Sequence, residues 1–262
     1  MFSWRSQKQF VVFLVVIAPI VVAAFFIIKG LIPVATCFDN KQNQSETGLD
    51  CGGSCASCEL KYPKAITVFS SRAVLVSENF YDLAAEIENP NEFLSSVRVG
   101  YEFKLYDRFG LVTTRIGTTF LYAQERTLVI EPGISTTRSA ERAEFRITSV
   151  DWQEKRDLTP TIIAEQRVYS VVEVQGKKQS VVDITLMNKS AYDFAKVEMQ
   201  VAVLDKEKNL LGVNKIVMED FLSQSRQVVR SIWPREFVGE ISVINVQARA
   251  NIFDPHVILK PQ

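Results

Sequence analysis

The chain of 262 residues has a single histidine, His256, and no cysteine beyond residue 58. Catalysis needs groups of tuned pKa in fixed mutual geometry. A lone histidine in Asp254-Pro255-His256, behind the last alternating segment, gives a Ser-His-Asp arrangement only a fraying tail to stand on. The chain also lacks a Gly-rich phosphate loop, a His-Glu-x-x-His or Gly-x-Ser-x-Gly motif, and any cysteine with a histidine to activate it. Carboxylate pairs such as Glu86 with Glu88, or Glu141 with Glu144, fit the solvent faces of strands and turns. An excess of one charge is missing as well: 30 basic side chains balance 30 acidic ones, which removes the electrostatic footprint of a nucleic-acid binder. The absences argue against an enzyme and for a protein that holds or contacts something.

What is present begins with a hydrophobic run. Residues 10–28 read FVVFLVVIAPIVVAAFFII, nineteen positions without a charge. As a helix they rise roughly 28 Å, close to the hydrocarbon thickness of a bilayer. The run exceeds the apolar region of a cleaved signal peptide and is closed by Lys29-Gly30, so it is read as an uncleaved anchor. Pro19 predicts a kink rather than a break. Val34-Ala35-Thr36-Cys37 resembles a lipoprotein cleavage site, with Thr36 in place of the usual small residue, which keeps lipidation as a minor reading. Arg5, Lys8 and the α-amino group against Lys29 and Lys41 lean slightly toward a cytoplasmic N-terminus. The expected organisation is a tail at 1–9, a transmembrane helix at 10–28, and everything after it outside the cytoplasm of a cell membrane.

Four cysteines, Cys37, Cys51, Cys55 and Cys58, fall within twenty-two residues. An even, confined set suits an oxidising compartment, and two disulfides would hold a segment too short and polar for a core. Four cysteines allow three pairings, and spacing does not choose among them. Gly52-Gly53 supplies the backbone freedom of a tight crossing. A Cys₄ zinc site is the alternative, but it requires reduced thiols. The segment resembles a motif of bacterial surface and secreted proteins, carried here by Cys37, Asp39, Asn43, Glu46, Thr47, Gly48, Asp50, Cys51, Gly52, Gly53 and Cys55, with Asn40 and Gln44 where members often have glycine. The resemblance suggests calcium, for which Asp39, Asn43, Glu46 and Asp50 offer hard oxygen ligands. An EF-hand is excluded, because Lys41, Gln44 and Asp50 would stand where Asp or Asn, Gly and Glu are needed.

Past residue 64 the period is two. Val97, Val99, Tyr101, Phe103 and Leu105 alternate with mostly polar neighbours, as do Val197, Met199, Val201 and Val203, and Ile244, Val246, Ala248, Ala250 and Ile252. The pattern repeats at roughly one hundred residues. Leu83-x-Ala85-x-Ile87-x-Asn89 matches Val182-x-Ile184-x-Leu186-x-Asn188, the strand ending in Asp107 matches that ending in Asp205, and Ile130-x-Pro132 matches Ile232-x-Pro234. Phe103-Lys104-Leu105-Tyr106-Asp107 resembles the Phe-x-Leu-Tyr-Asp signature of extracytoplasmic β-sandwich domains related to the water-stress, late-embryogenesis type-2 family; the second copy keeps only Val201-x-Val203-Leu204-Asp205. The signature is one of folding: Phe103 and Leu105 inward, Asp107 opening the turn before Gly110, and Tyr106 on the strand.

The expected fold is all-β, two tandem Ig-like antiparallel β-sandwiches of about seven short strands each. They follow a Cys-rich linker at 29–64 and occupy 65–157 and 162–256, joined end to end at 158–161, with a tail at 257–262. Trp152 and Trp233 are expected to close the ends of the two cores. The expected function is a single-pass bacterial envelope protein in a binding or scaffold role, its partner another envelope protein or a cell-wall polymer. The alternatives are a structural spacer or stress-protective protein, and an accessory subunit of an envelope enzyme.

Overall fold

The computed structural model describes residues 4–31, 36–154 and 159–259. Part of the N-terminal tail (1–3), Val34 and Ala35 of the lipoprotein-like site, Leu158 of the joint and residues 260–262 lie outside the described residues. The chain divides into two compact units, Met1–Lys61 and Tyr62–Gln262.

In the first unit, α1 (Trp4–Leu31) runs unbroken through Pro19. Its stretch Lys8–Ile27 has mean hydropathy 3.2 and is long and apolar enough to cross a membrane. From Phe10 to Ile27 its large apolar side chains are exposed, including Phe26 at 67%, with no covering partner among the described residues. The same unit holds the cysteine segment, whose one short helix is α2 (Cys58–Lys61).

The second unit is all-β and contains two antiparallel sandwiches. The first has β1 (Thr67–Ser77), β2 (Phe80–Glu88), β3 (Leu94–Asp107), β4 (Gly110–Leu121), β5 (Arg126–Ser135) and β6 (Arg142–Glu154). They form two sheets in the orders β1-β2-β5 and β4-β3-β6. The second has β7 (Ile162–Val174), β8 (Lys177–Asn188), β9 (Phe194–Asp205), β10 (Leu210–Phe221), β11 (Arg226–Trp233) and β12 (Ile241–Arg249), ordered β11-β8-β7 and β10-β9-β12. Each sandwich therefore has six strands rather than about seven. The strands are long, as in the 14 residues of β3, and several are joined by two-residue turns, so fewer of them use up the same length of chain. Gln175 and Gly176, at φ 53° and 73°, form the β7–β8 hairpin with both central residues left-handed, as a type I′ turn demands.

Alternation places one face of each sheet inward. Leu83, Ala85 and Ile87 meet Val99, Tyr101, Phe103 and Leu105 in the first core, and Val182, Ile184 and Leu186 meet Val197, Met199, Val201 and Val203 in the second. Trp233 lies in the second core, its indole N–H donating to the carbonyl of Val213 at 3.0 Å. Trp152 is half-buried and outside the first core.

The repeat has a structural basis in its asparagines. Asn89, fully buried, donates to the carbonyls of Leu94 and Tyr122 and accepts from the backbone and side chain of Asn91. Asn188 donates to the carbonyls of Tyr192, Phe221 and Leu222 and accepts from Ser190. In both copies one amide satisfies the buried carbonyls where three chain segments meet.

Two further features depart from expectation. The sandwiches pack face to face, not end to end. The outward sides of β1-β2-β5 and β10-β9-β12 carry apolar residues, and Val74, Ala84 and Ile130 form a third core with Ala202 and Val213. The C-terminal stretch is docked rather than frayed: Val257 is buried, and Ala195 and Leu259 donate from their backbones to Val257 and Asp193.

Candidate functional site

The cysteine segment is closed by Cys37–Cys55 and Cys51–Cys58 disulfides. Its sulfurs are thereby removed as zinc ligands. Gly52 and Gly53, at φ 79° and 61°, are required sterically as well: a Cβ on Gly52 would stand 1.9 Å from the Thr47 hydroxyl and one on Gly53 2.0 Å from the Ser45 carbonyl. Asn40 and Gln44 are both left-handed, at φ 56° and 52°.

The four oxygen-bearing residues act within the loop. Asp39 accepts from the Asn43 amide at 2.9 Å and from the backbone of Lys41 at 3.0 Å, and these donors, Asn43 first, hold its carboxyl below the ordinary range. Glu46, 8% exposed, accepts from the backbone of Asn43 at 3.2 Å. Asp50 accepts from the backbone of Asn40 at 2.9 Å and faces Lys61 at 3.7 Å. Among the described residues, the one set of three acidic or thiol groups converging within 4.8 Å is Cys37, Glu46 and Cys55, and two of its members are joined in a disulfide. The carboxylates of Asp39, Glu46 and Asp50 do not converge on one another within 4.8 Å, while the buried Oδ1 of Asn43 has no hydrogen-bond partner.

The signature residues serve the first sandwich. Phe103 and Leu105 are fully buried. Asp107 accepts from the backbone of Phe109 at 2.8 Å and pairs with Arg138 at 3.2 Å, while Tyr106 lies under the Arg142 guanidinium. Asp205 closes the equivalent turn by accepting from the backbone and side chain of Asn209. His256 is exposed in a turn, its backbone donating to Asp254.

Sequence reasoning had no linear signal for the most organised polar region, the seam between the sandwiches. Arg249 of β12 is 3% exposed and reaches across to Glu125, with Nη2 to Oε2 at 3.1 Å and Nε to Oε1 at 2.7 Å, the latter too far off line for a hydrogen bond. It also donates to the Phe120 carbonyl and the Thr127 hydroxyl and lies 4.1 Å above the Phe120 ring. Thr127 in turn donates to Gln200 at 3.0 Å, and the Tyr122 hydroxyl donates to the Ala250 carbonyl. Burial raises the Tyr122 pKa, so the hydroxyl stays a donor. A second ion pair crosses the seam from Lys215 to Glu131 at 4.0 Å, and Glu131 also accepts from the Tyr101 hydroxyl at 2.6 Å. Asp82, 6% exposed on the outward side of β2, accepts from the backbone of Gly133, and burial pushes its pKa up to about 6 against the opposing pull of Gly133 and Arg235.

Beside this network the seam opens into a groove of about 630 Å³. Its floor is apolar, from Leu128, Ala202, Leu204 and Leu210; its walls carry the amides of Gln200, Asn245 and Gln247; its cations are Arg72 and Arg126 from one sandwich and Arg167 and Lys208 from the other, against the single carboxylate of Glu86. That carboxylate is taken by Arg126 at 2.7 Å, and Arg126 also stacks on Phe69 at 4.0 Å. In a chain of zero net charge this is a local cationic excess. Its volume and its place at a domain seam fall in the range common to ligand sites, and its lining is more charged than is usual for small-molecule pockets.

No protein-family profile matches the chain, and no curated protein matches it either.

Proposed function

We propose that the protein is a single-pass, membrane-anchored extracytoplasmic protein of a bacterial envelope, and that its tandem sandwiches act as a non-enzymatic binding module through the groove at their seam. The apolar helix supports the anchor by its length and exposure. Two disulfides in so short a segment fit an oxidising space outside the cytoplasm. The observation that carries the binding role is the groove itself: two sandwiches are locked by an apolar interface and a buried ion pair, and the fixed cleft beside them combines an apolar floor with amides and cations. A site held by rigid strands loses little order on binding.

The test uses full-length protein in membranes. Thiol labelling first checks placement: labelling only after an impermeant reductant is added outside agrees with the proposed topology, and labelling from the cytoplasmic side without reductant refutes it. Cross-linking then asks whether one envelope component is retained saturably and lost when Asn245→Trp fills the groove. Retention indifferent to that substitution, or no saturable component, would leave the sandwiches as a spacer.

A further inference from the structure

The groove's chemistry narrows its ligand, an inference that rests on reading the sandwiches as a binding module. Arg126 is already committed to Glu86 and Phe69. Arg72, Arg167 and Lys208 have no carboxylate within ion-pair distance among the described residues, and all three are exposed at the rim. They come from both sandwiches, Arg72 from β1 on one side, Arg167 from β7 and Lys208 from the β9–β10 turn on the other. A ligand that satisfies them must present several anionic groups and lie along the seam. Charge alone would admit a phosphate polymer or an acidic peptide, since guanidinium pairs with phosphate and carboxylate alike. The floor decides between them. Leu128, Leu204 and Leu210 are aliphatic and only partly covered, and a hydrated phosphate backbone has nothing to lay on them, whereas aliphatic side chains gain by displacing their water. The amides of Asn245 and Gln247 supply donors and acceptors of the kind a peptide backbone uses.

We infer that the groove binds an extended acidic segment of a partner protein, with carboxylates on Arg72, Arg167 and Lys208 and interleaved aliphatic side chains on the leucine floor. Alternation of side chains along an extended strand presents the two kinds of group to opposite sides, acids to the rim and aliphatics to the floor.

The experiment measures fluorescence anisotropy of a labelled synthetic peptide of alternating Asp and Leu, titrated with full-length protein in zwitterionic nanodiscs. A second peptide has Asn for every Asp, and sodium polyphosphate is the phosphate probe. Expected are saturable binding of the acidic peptide that weakens with salt, little binding of the Asn peptide, and a loss of roughly two- to fivefold for each of R72A, R167A and K208A. Equal binding of both peptides, or indifference to the three substitutions combined, overturns the inference; so does binding of polyphosphate without binding of the peptide. If an envelope component is retained through the groove while the acidic peptide fails to bind, the ligand class falls and the binding module stands. If neither binds, both fall.

Discussion

Replacing Arg249 by Met tests how the two sandwiches are joined. The guanidinium is almost wholly buried, and the side chain of Glu125 opposite it is 10% exposed. Removing the cation leaves a mostly buried carboxylate without its counter-charge, and breaking a buried pair in this way costs about 3–5 kcal/mol. Glu125 would keep two other donors, the backbone of Tyr122 at 2.8 Å and the amide of Gln247 at 3.2 Å, which places the expectation near the lower bound. The Phe120 carbonyl and the Thr127 hydroxyl also lose a donor. A loss of about 3 kcal/mol is roughly a 150-fold change in the unfolding equilibrium constant and a fall of about 6–12 °C in Tm for a unit of this size. Thermal unfolding of the full chain, followed by near-UV circular dichroism, reads the effect. Because Arg249 spans the seam, R249M is also expected to split one cooperative transition into two. Adding Glu125→Gln removes the stranded charge and should restore part of the loss. The reasoning is refuted if R249M unfolds within about 1 °C of the parent in a single transition, or if the double variant is no more stable than R249M.

Asp82 gives a pH dependence of defined sign. Its carboxyl holds a proton up to about 6 in the folded protein, against 3.8 for the unreacted side chain. The Asp82 contribution to stability is therefore fullest below about pH 4, falls as pH rises toward 6 and is level above it, by at most about 3 kcal/mol. Asp82→Asn should stabilise the protein at pH 7.5 and flatten that slope in denaturant titrations; an unchanged slope would contradict the burial argument. Asn188→Ala removes the amide donor from the carbonyls of Tyr192 and Phe221, while that of Leu222 keeps Ser225, and should cost about 2–3 kcal/mol, with Asn89→Ala of similar size in the first sandwich; an innocuous Asn89→Ala would break the equivalence of the copies. Gly53→Ala drives a Cβ into the Ser45 carbonyl and should scramble the cysteine pairing, read by peptide mapping of the disulfides; native pairing at full yield would show that the loop bends elsewhere.

Much of the fold is legible in the sequence. Alternation through Phe103 and Leu105, and again through Val201 and Val203, marked the inward faces, since a half-buried strand has only one way to expose its polar side chains. The repeated asparagines marked equivalent strand ends. The seam was hidden for a physical reason. Ala84, Ala202 and Leu204 fall at outward positions, where an isolated sheet would be solvated, and only the opposing sheet makes sense of them. The groove was hidden because Arg72, Arg126, Arg167 and Lys208 are far apart in the chain and converge only after both sandwiches dock. The C-terminal stretch looked like a tail because Asp254-Pro255-His256 carries no period, yet Ile252 and Val257 on either side of it are buried.

The fixed face-to-face joining of the sandwiches is what builds the groove, and the distance between them measures it directly. Spin labels at Thr114 of β4 and Glu173 of β7, both exposed, should give a single narrow distance distribution in the full-length protein, broadened by R249M. A broad or multiple distribution in the parent protein would mean that the sandwiches move independently and that the groove is not a preformed site.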